Sequence, residues 1–169
     1  SGMLHELDLV NWRYVSTDHN PDTRGLLLIA GGFLRAATTN ARLRYNHTGF
    51  FTTNQRIRLS DVSIAAGTVG AGLGVILGTN SNESGTDGLE VHVNTDSIRL
   101  YRRINLTGMN LVETHMVGLS LPLASLEAIR DGDTVVVRAD GVTVKTFALP
   151  TSHRPIGGTP MMGIMAANG

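Results

Sequence analysis

Between Thr53 and Phe147 the chain alternates apolar and polar residues in short runs. Gln55–Ile64 reads Q-R-I-R-L-S-D-V-S-I, Leu89–Val93 reads L-E-V-H-V, and Ser97–Arg102 reads S-I-R-L-Y-R. Thr134–Arg138 (T-V-V-V-R) and Val142–Phe147 (V-T-V-K-T-F) are joined by Ala139-Asp140-Gly141. Successive side chains of a strand point to opposite faces, so apolar residues at every second position mark a sheet with one buried face. Many such runs separated by turn residues predict an all-β chain, an antiparallel two-sheet β-sandwich with at most one short helix.

The rest of the chain adds further strands. Leu4–Val10 and Trp12–Val15 open the fold, Leu26–Ala30 is apolar throughout, and Gly31-Gly32 turns the chain into Phe33–Ala37. Ala41–Tyr45 and Leu111–Val117 alternate again. The stretch Gly67–Gly74 holds four Gly in eight residues, and Gly70–Gly74 reads as a turn leading into a core strand, Val75–Leu77. Met161–Ala166 is expected to close a sheet beside the N-terminal strand. Leu123, Leu126 and Ile129 recur near helical spacing, so Pro122–Arg130 is the one helical candidate. The predicted core comprises Leu28, Leu34, Ile57, Leu59, Val75, Leu77, Val91, Val93, Ile98, Leu100, Val135, Val137, Val144 and Ile164.

Composition narrows the classes. The 169 residues suit one domain, with Ser1–Met3 reading as a cloning remnant and 4–169 as the sandwich. Fourteen basic and 14 acidic residues give a formal charge of +0, which carries no electrostatic footprint for nucleic acid or an anionic membrane. No apolar run approaches the roughly 18–20 residues that span a bilayer, and no signal peptide is visible. Cys is absent, so thiol and disulfide chemistry are excluded. A secreted animal module of this size is often disulfide-bonded, so its absence points to a bacterial or viral source.

The order of phrases carries a resemblance. The opening strand and Gly-Gly turn lead to Phe33-Leu34-Arg35, Asn54-Gln55-Arg56-Ile57-Arg58-Leu59 and Leu73-Gly74-Val75-Ile76-Leu77. Gly88-Leu89-Glu90-Val91-His92-Val93, Ile98-Arg99-Leu100-Tyr101-Arg102, Gly132-Asp133-Thr134-Val135 and Asp140-Gly141-Val142 follow. This series resembles the concanavalin A-like (laminin G-like) lectin/glucanase sandwich, and is similar to the versions in minor tail proteins of actinobacterial phages. It implies a jelly roll, adhesion or recognition of a host cell-envelope glycan, and a calcium ion near the rim. It also implies a homotrimer and a place in the virion tail or at another extracellular surface.

Several constellations bear on chemistry. Glu6-Leu7-Asp8 followed by Asn11 approaches the E-x-D-x-x-E strand of laminarinase-like hydrolases, in which carboxylates on one strand face serve as nucleophile and acid/base. The third acidic position is Asn11, which favours a non-catalytic module over an enzyme. Asp18, Asn20 and Asp22 alternate oxygen ligands suited to a hard cation such as calcium; the competing reading is an Asx-bonded turn. The hairpin loop Asn80–Gly88 offers Asn80, Asn82, Glu83 and Asp87, planar groups that match sugar hydroxyl pairs, with Tyr101 on the strand beyond it as a stacking face. A solvated loop tip is the alternative. If that rim is not the site, the sheet face carrying Arg58, His92 and Arg99 is the next candidate. His5, His19, His47, His92, His115 and His153 show no ligand spacing, and no G-x-S-x-G elbow is present. The expected function is a non-catalytic glycan-binding module of a tail receptor-binding protein. A structural tail module and a glycan hydrolase are the alternatives.

Overall fold

A computed structural model describes residues 5–6, 12–14, 27–30, 33–36, 42–45, 54–63, 71–79, 88–103, 109–153 and 161–168. Fourteen strands follow in chain order. They are β1 (His5–Glu6), β2 (Trp12–Tyr14), β3 (Leu27–Ala30), β4 (Phe33–Ala36), β5 (Arg42–Tyr45), β6 (Gln55–Val62) and β7 (Ala71–Thr79). Then come β8 (Gly88–Val93), β9 (Ser97–Arg103), β10 (Met109–Met116), β11 (Leu123–Asp131), β12 (Thr134–Ala139), β13 (Val142–Ala148) and β14 (Met161–Asn168). A 3₁₀ turn at Thr151–His153 is the single helical element among the described residues.

All pairings are antiparallel. A seven-stranded sheet has the order β10-β9-β8-β7-β14-β5-β2, and a four-stranded sheet the order β13-β12-β11-β6. A small three-stranded sheet, β1-β3-β4, supplements the two layers. One core joins the large sheets: Val75, Leu77, Leu89, Val91, Val93, Ile98 and Leu100 from one, and Val62, Leu123, Leu126, Ala128, Val135, Val137 and Phe147 from the other. Eight of the predicted core residues are among these, and Ile57, Leu59 and Val144 pack against the same cluster. Leu28, Leu34 and Ile164 have side chains outside the described part.

The tight turns follow from their residues. Ala139 pairs with Val142, so Asp140-Gly141 forms a two-residue loop with φ +49° and +80°. Two positive φ values are the signature of a type I′ hairpin, which Asp-Gly favours. Asp131 pairs with Thr134 around Gly132-Asp133, where Gly132 has φ +53°. In β6 the apolar series switches phase, with Ile57 and Leu59 on odd positions and Val62 on an even one. Asp61 stands between them at φ +52° and returns Val62 to the core face.

Three expectations are corrected. Pro122–Arg130 is not helical: Leu123–Asp131 is a strand with β12 on one side and β6 on the other. Leu126 and Ala128 face the core while Ser125 and Glu127, on the opposite face, are buried as well. With residues buried on both faces of the strand, the period-2 signal disappears and chance helical spacing remains. The turn read into Gly70–Gly74 is strand from Ala71 onward. The C-terminal strand β14 does not lie beside an N-terminal strand; it sits between β7 and β5, with β5 separating it from β2.

Candidate functional site

The face of the seven-stranded sheet turned away from the core gathers the chemistry. Leu89, Val91, Val93, Ile98 and Leu100 point inward, so alternation sends Glu90, His92, Arg99 and Tyr101 to the opposite face. Register aligns these positions in rows. One row runs Ile76, Glu90, Tyr101, Leu111 across β7, β8, β9 and β10. The next runs Gly74, His92, Arg99, Thr114. A bulge between Leu111 and Glu113 inserts Val112, which packs on the core while Leu111 stays in the row.

The centre of the face is rigidly held. Glu90 is fully buried, and its Oε2 accepts a hydrogen bond from His92 Nε2 at 3.0 Å. With the carboxylate accepting, the hydrogen sits on Nε2, and the buried oxygen has the partner it requires. The His92 ring in turn meets the Tyr101 ring at a centroid distance of 4.6 Å and a tilt of 46°. That geometry lies within the range of attractive aromatic contacts. Tyr101 is half-buried, and its row neighbour Leu111 is 51% exposed, so an aromatic and an aliphatic surface adjoin at the sheet's edge. Arg99 is partly exposed beside them and makes no ion pair among the described residues. The arrangement offers a stacking surface and the guanidinium and hydroxyl groups of Arg99 and Thr114, set over one buried carboxylate.

Of the residues named from sequence, Tyr101, His92 and Arg99 lie on this face. Asn80, Asn82, Glu83 and Asp87 fall outside the described residues. Their segment connects Thr79 of β7 to Gly88 of β8, and Tyr101 pairs with Glu90, two residues from that end. Asp18, Asn20 and Asp22 also lie outside the described residues. Among the described residues no group of three or more His, Asp or Glu is placed to hold a metal ion. The strand β2 runs opposite to β7 through β5 and β14, and the register sets Tyr14 level with Leu43, Ile164 and Val75, in the middle of β7.

The face pairing of Arg58 with His92 and Arg99 is corrected. Arg58 belongs to β6 in the four-stranded sheet, whereas His92 and Arg99 share the other sheet. Alternation was right within each strand, but it cannot assign strands to sheets. Glu90 and Leu111 were missed as site residues. The sequence signal for Glu90 was a charged residue in the middle of the apolar strand G-L-E-V-H-V. Leu111 gave no signal, because its row depends on the β10 bulge.

No protein-family model matches the sequence, and no curated protein sequence does. Solved structures do share the fold. The chain is similar to the carbohydrate-binding module CBM66 from Bacillus subtilis, with a TM-score of 0.64, 14% identity, and coverage of 94% of this chain and 92% of that one. It is similar to the Crh5 transglycosylase solved with NAG, with a TM-score of 0.56, 14% identity, and coverage of 98% and 68%. A glycoside hydrolase family 16 endo-glucanase from Bacteroides ovatus gives a TM-score of 0.52 at 10% identity, covering 96% and 74%. The chain therefore has the concanavalin A-like β-sandwich fold.

Proposed function

We propose that the chain is a non-catalytic module that binds a glycan on the face of the seven-stranded sheet, at the end where residues 80–87 join β7 to β8. The observation that carries this reading is the fixed aromatic platform: Tyr101 held against His92, which is anchored on the fully buried Glu90. A sugar ring presents C–H groups on one side and hydroxyls at its rim. Tyr101 and Leu111 suit the first, and Arg99 and Thr114 suit the second. The segment with Asn80, Asn82, Glu83 and Asp87 would add planar amides and carboxylates at the same end. Two of the fold neighbours, the carbohydrate-binding module and the endo-glucanase, bind or act on carbohydrate, which supports the ligand class.

The non-catalytic reading rests on the carboxylates. Retaining glycosidases set two carboxyl groups about 5–5.5 Å apart, and inverting ones about 6.5–9.5 Å. On this face the described residues supply Glu90 alone, and it is buried beneath His92. We take the ligand to be a cell-envelope glycan and the setting to be a phage tail. The support is the resemblance of the strand series to tail-protein sandwiches.

Tyr101→Ala should weaken binding on an array of cell-envelope glycans about tenfold, the equivalent of about 1.4 kcal/mol. Its melting temperature should stay close to that of the parent. Undiminished binding would move the site off this face. Release of reducing ends from β-glucans or arabinogalactans by the wild-type protein would overturn the non-catalytic reading.

A further inference from the structure

The outer face of the four-stranded sheet carries a second cluster, independent of the Tyr101 platform. Two rows cross its strands. Arg58, Glu127, Arg138 and Thr143 form one, and Arg56, Ile129, Val136 and Thr146 the other. Glu127 has a side chain only 8% exposed, although it faces away from the core. Its Oε1 accepts from an Arg56 terminal nitrogen at 2.5 Å, and its Oε2 lies 3.7 Å from an Arg138 terminal nitrogen. Arg138 Nε donates to Thr143 Oγ1 at 3.3 Å. Both carboxylate oxygens are thus engaged by Arg56 and Arg138. Arg58 stands directly opposite Glu127 in the ladder, is exposed, and makes no ion pair or hydrogen bond among the described residues. The carboxylates Asp61, Asp131 and Asp140 lie at strand ends and turns, outside the two rows. Two guanidinium groups therefore share one carboxylate, and a third stands beside them without an ion pair among the described residues.

We infer that this face binds oxyanions carried along a polysaccharide, with Arg58 as the guanidinium left without an ion pair among the described residues and Arg56 and Arg138 flanking it in orientations set by Glu127. A guanidinium presents a planar fork of donors that matches a carboxylate or a sulfate. Sheet geometry places Arg56 and Arg58 about 6.8 Å apart along β6, and Arg138 about 9.6 Å across from Arg58, two strand spacings away. An open array with that spacing suits an extended polymer with repeated charges. The rows hold Ile129, Val136, Thr143 and Thr146 and no aromatic ring, so the stacking platform that single-stranded nucleic acid uses is missing. An acidic polysaccharide is the ligand these observations favour.

The test compares retention of the whole chain on immobilised polygalacturonate (carboxylate), heparin (sulfate), dextran (uncharged) and duplex DNA at low ionic strength. The wild-type protein should be retained on one or both acidic polysaccharides, released by salt, and not retained on dextran. Retention on heparin but not on polygalacturonate assigns the preference to sulfate, because heparin carries carboxylates as well. Arg58→Gln leaves the Glu127 pairs in place; it should lose about tenfold in affinity, one bidentate charge-assisted contact, with an unchanged melting temperature. Tyr101→Ala should be retained like the wild type, which separates this face from the glycan platform. The inference is overturned if the wild type passes through both acidic columns, if Arg58→Gln is retained equally, or if duplex DNA holds the protein as tightly as the polysaccharides do.

Discussion

Asp140 shows how much one turn residue carries. It adopts φ +49°, a conformation that costs most L-residues about 1–2 kcal/mol and that Asp tolerates better than most. Its N–H donates to Ser125 O at 2.9 Å while its Oδ1 accepts from Ser125 N at 2.8 Å, so the β12–β13 turn is tied to β11 from both sides. Asp140→Ala removes the acceptor from a buried N–H and worsens the backbone fit, and should cost about 2–3 kcal/mol in urea unfolding. Asp140→Asn keeps an acceptor and the left-handed tolerance, so it should lose less than half as much. Equal losses for the two variants would show that the Ser125 bond contributes nothing. Phe147 makes the corresponding case in the core. It is fully buried beneath the second sheet, and the Lys145 ammonium lies 5.3 Å from its ring centroid. Phe147→Ala should cost about 3–5 kcal/mol in the same measurement, and a loss below about 1 kcal/mol would show that the site is not packed as described.

At the scale of elements, the two sheets meet along one pair of edges. The strand β10 ends the seven-stranded sheet, β13 ends the four-stranded one, and Lys145 of β13 forms an ion pair with Glu113 of β10. The β10 bulge makes this contact possible, because it turns Glu113 out of the Tyr101 face. Both partners are partly exposed, so the pair is worth about 0.3–1 kcal/mol. A double-mutant cycle of Lys145→Met and Glu113→Gln should give a coupling of that size that shrinks in high salt. A coupling unaffected by salt would contradict a solvent-screened pair. The strand β11 teaches a different lesson. L-A-S-L-E-A-I-R is rich in helix formers, but propensity is worth only tenths of a kcal/mol per residue. Pairing with β12 and β6, together with burial of Leu126, Ala128 and Glu127, outweighs it.

At the scale of the whole molecule, the chain presents two unlike surfaces on the two outer faces of one sandwich. One holds an aromatic platform backed by a buried carboxylate, and the other an arginine array built around a second buried carboxylate. Much of the architecture was legible beforehand. Leu89, Val91, Val93, Ile98 and Leu100 alternate with Glu90, His92 and Arg99 because a strand repeats every two residues. Asp140-Gly141 marked its hairpin because few other dipeptides accept two positive φ values. These are local properties, and the sequence determined them by itself. The insertion of β14 between β7 and β5, the assignment of Arg58 to the other sheet from His92, and the meeting of Tyr101 with Leu111 across a bulge are not local. They depend on strand order and register, which are chosen by burying every apolar face at once, and so only the tertiary structure decided which side chains became neighbours.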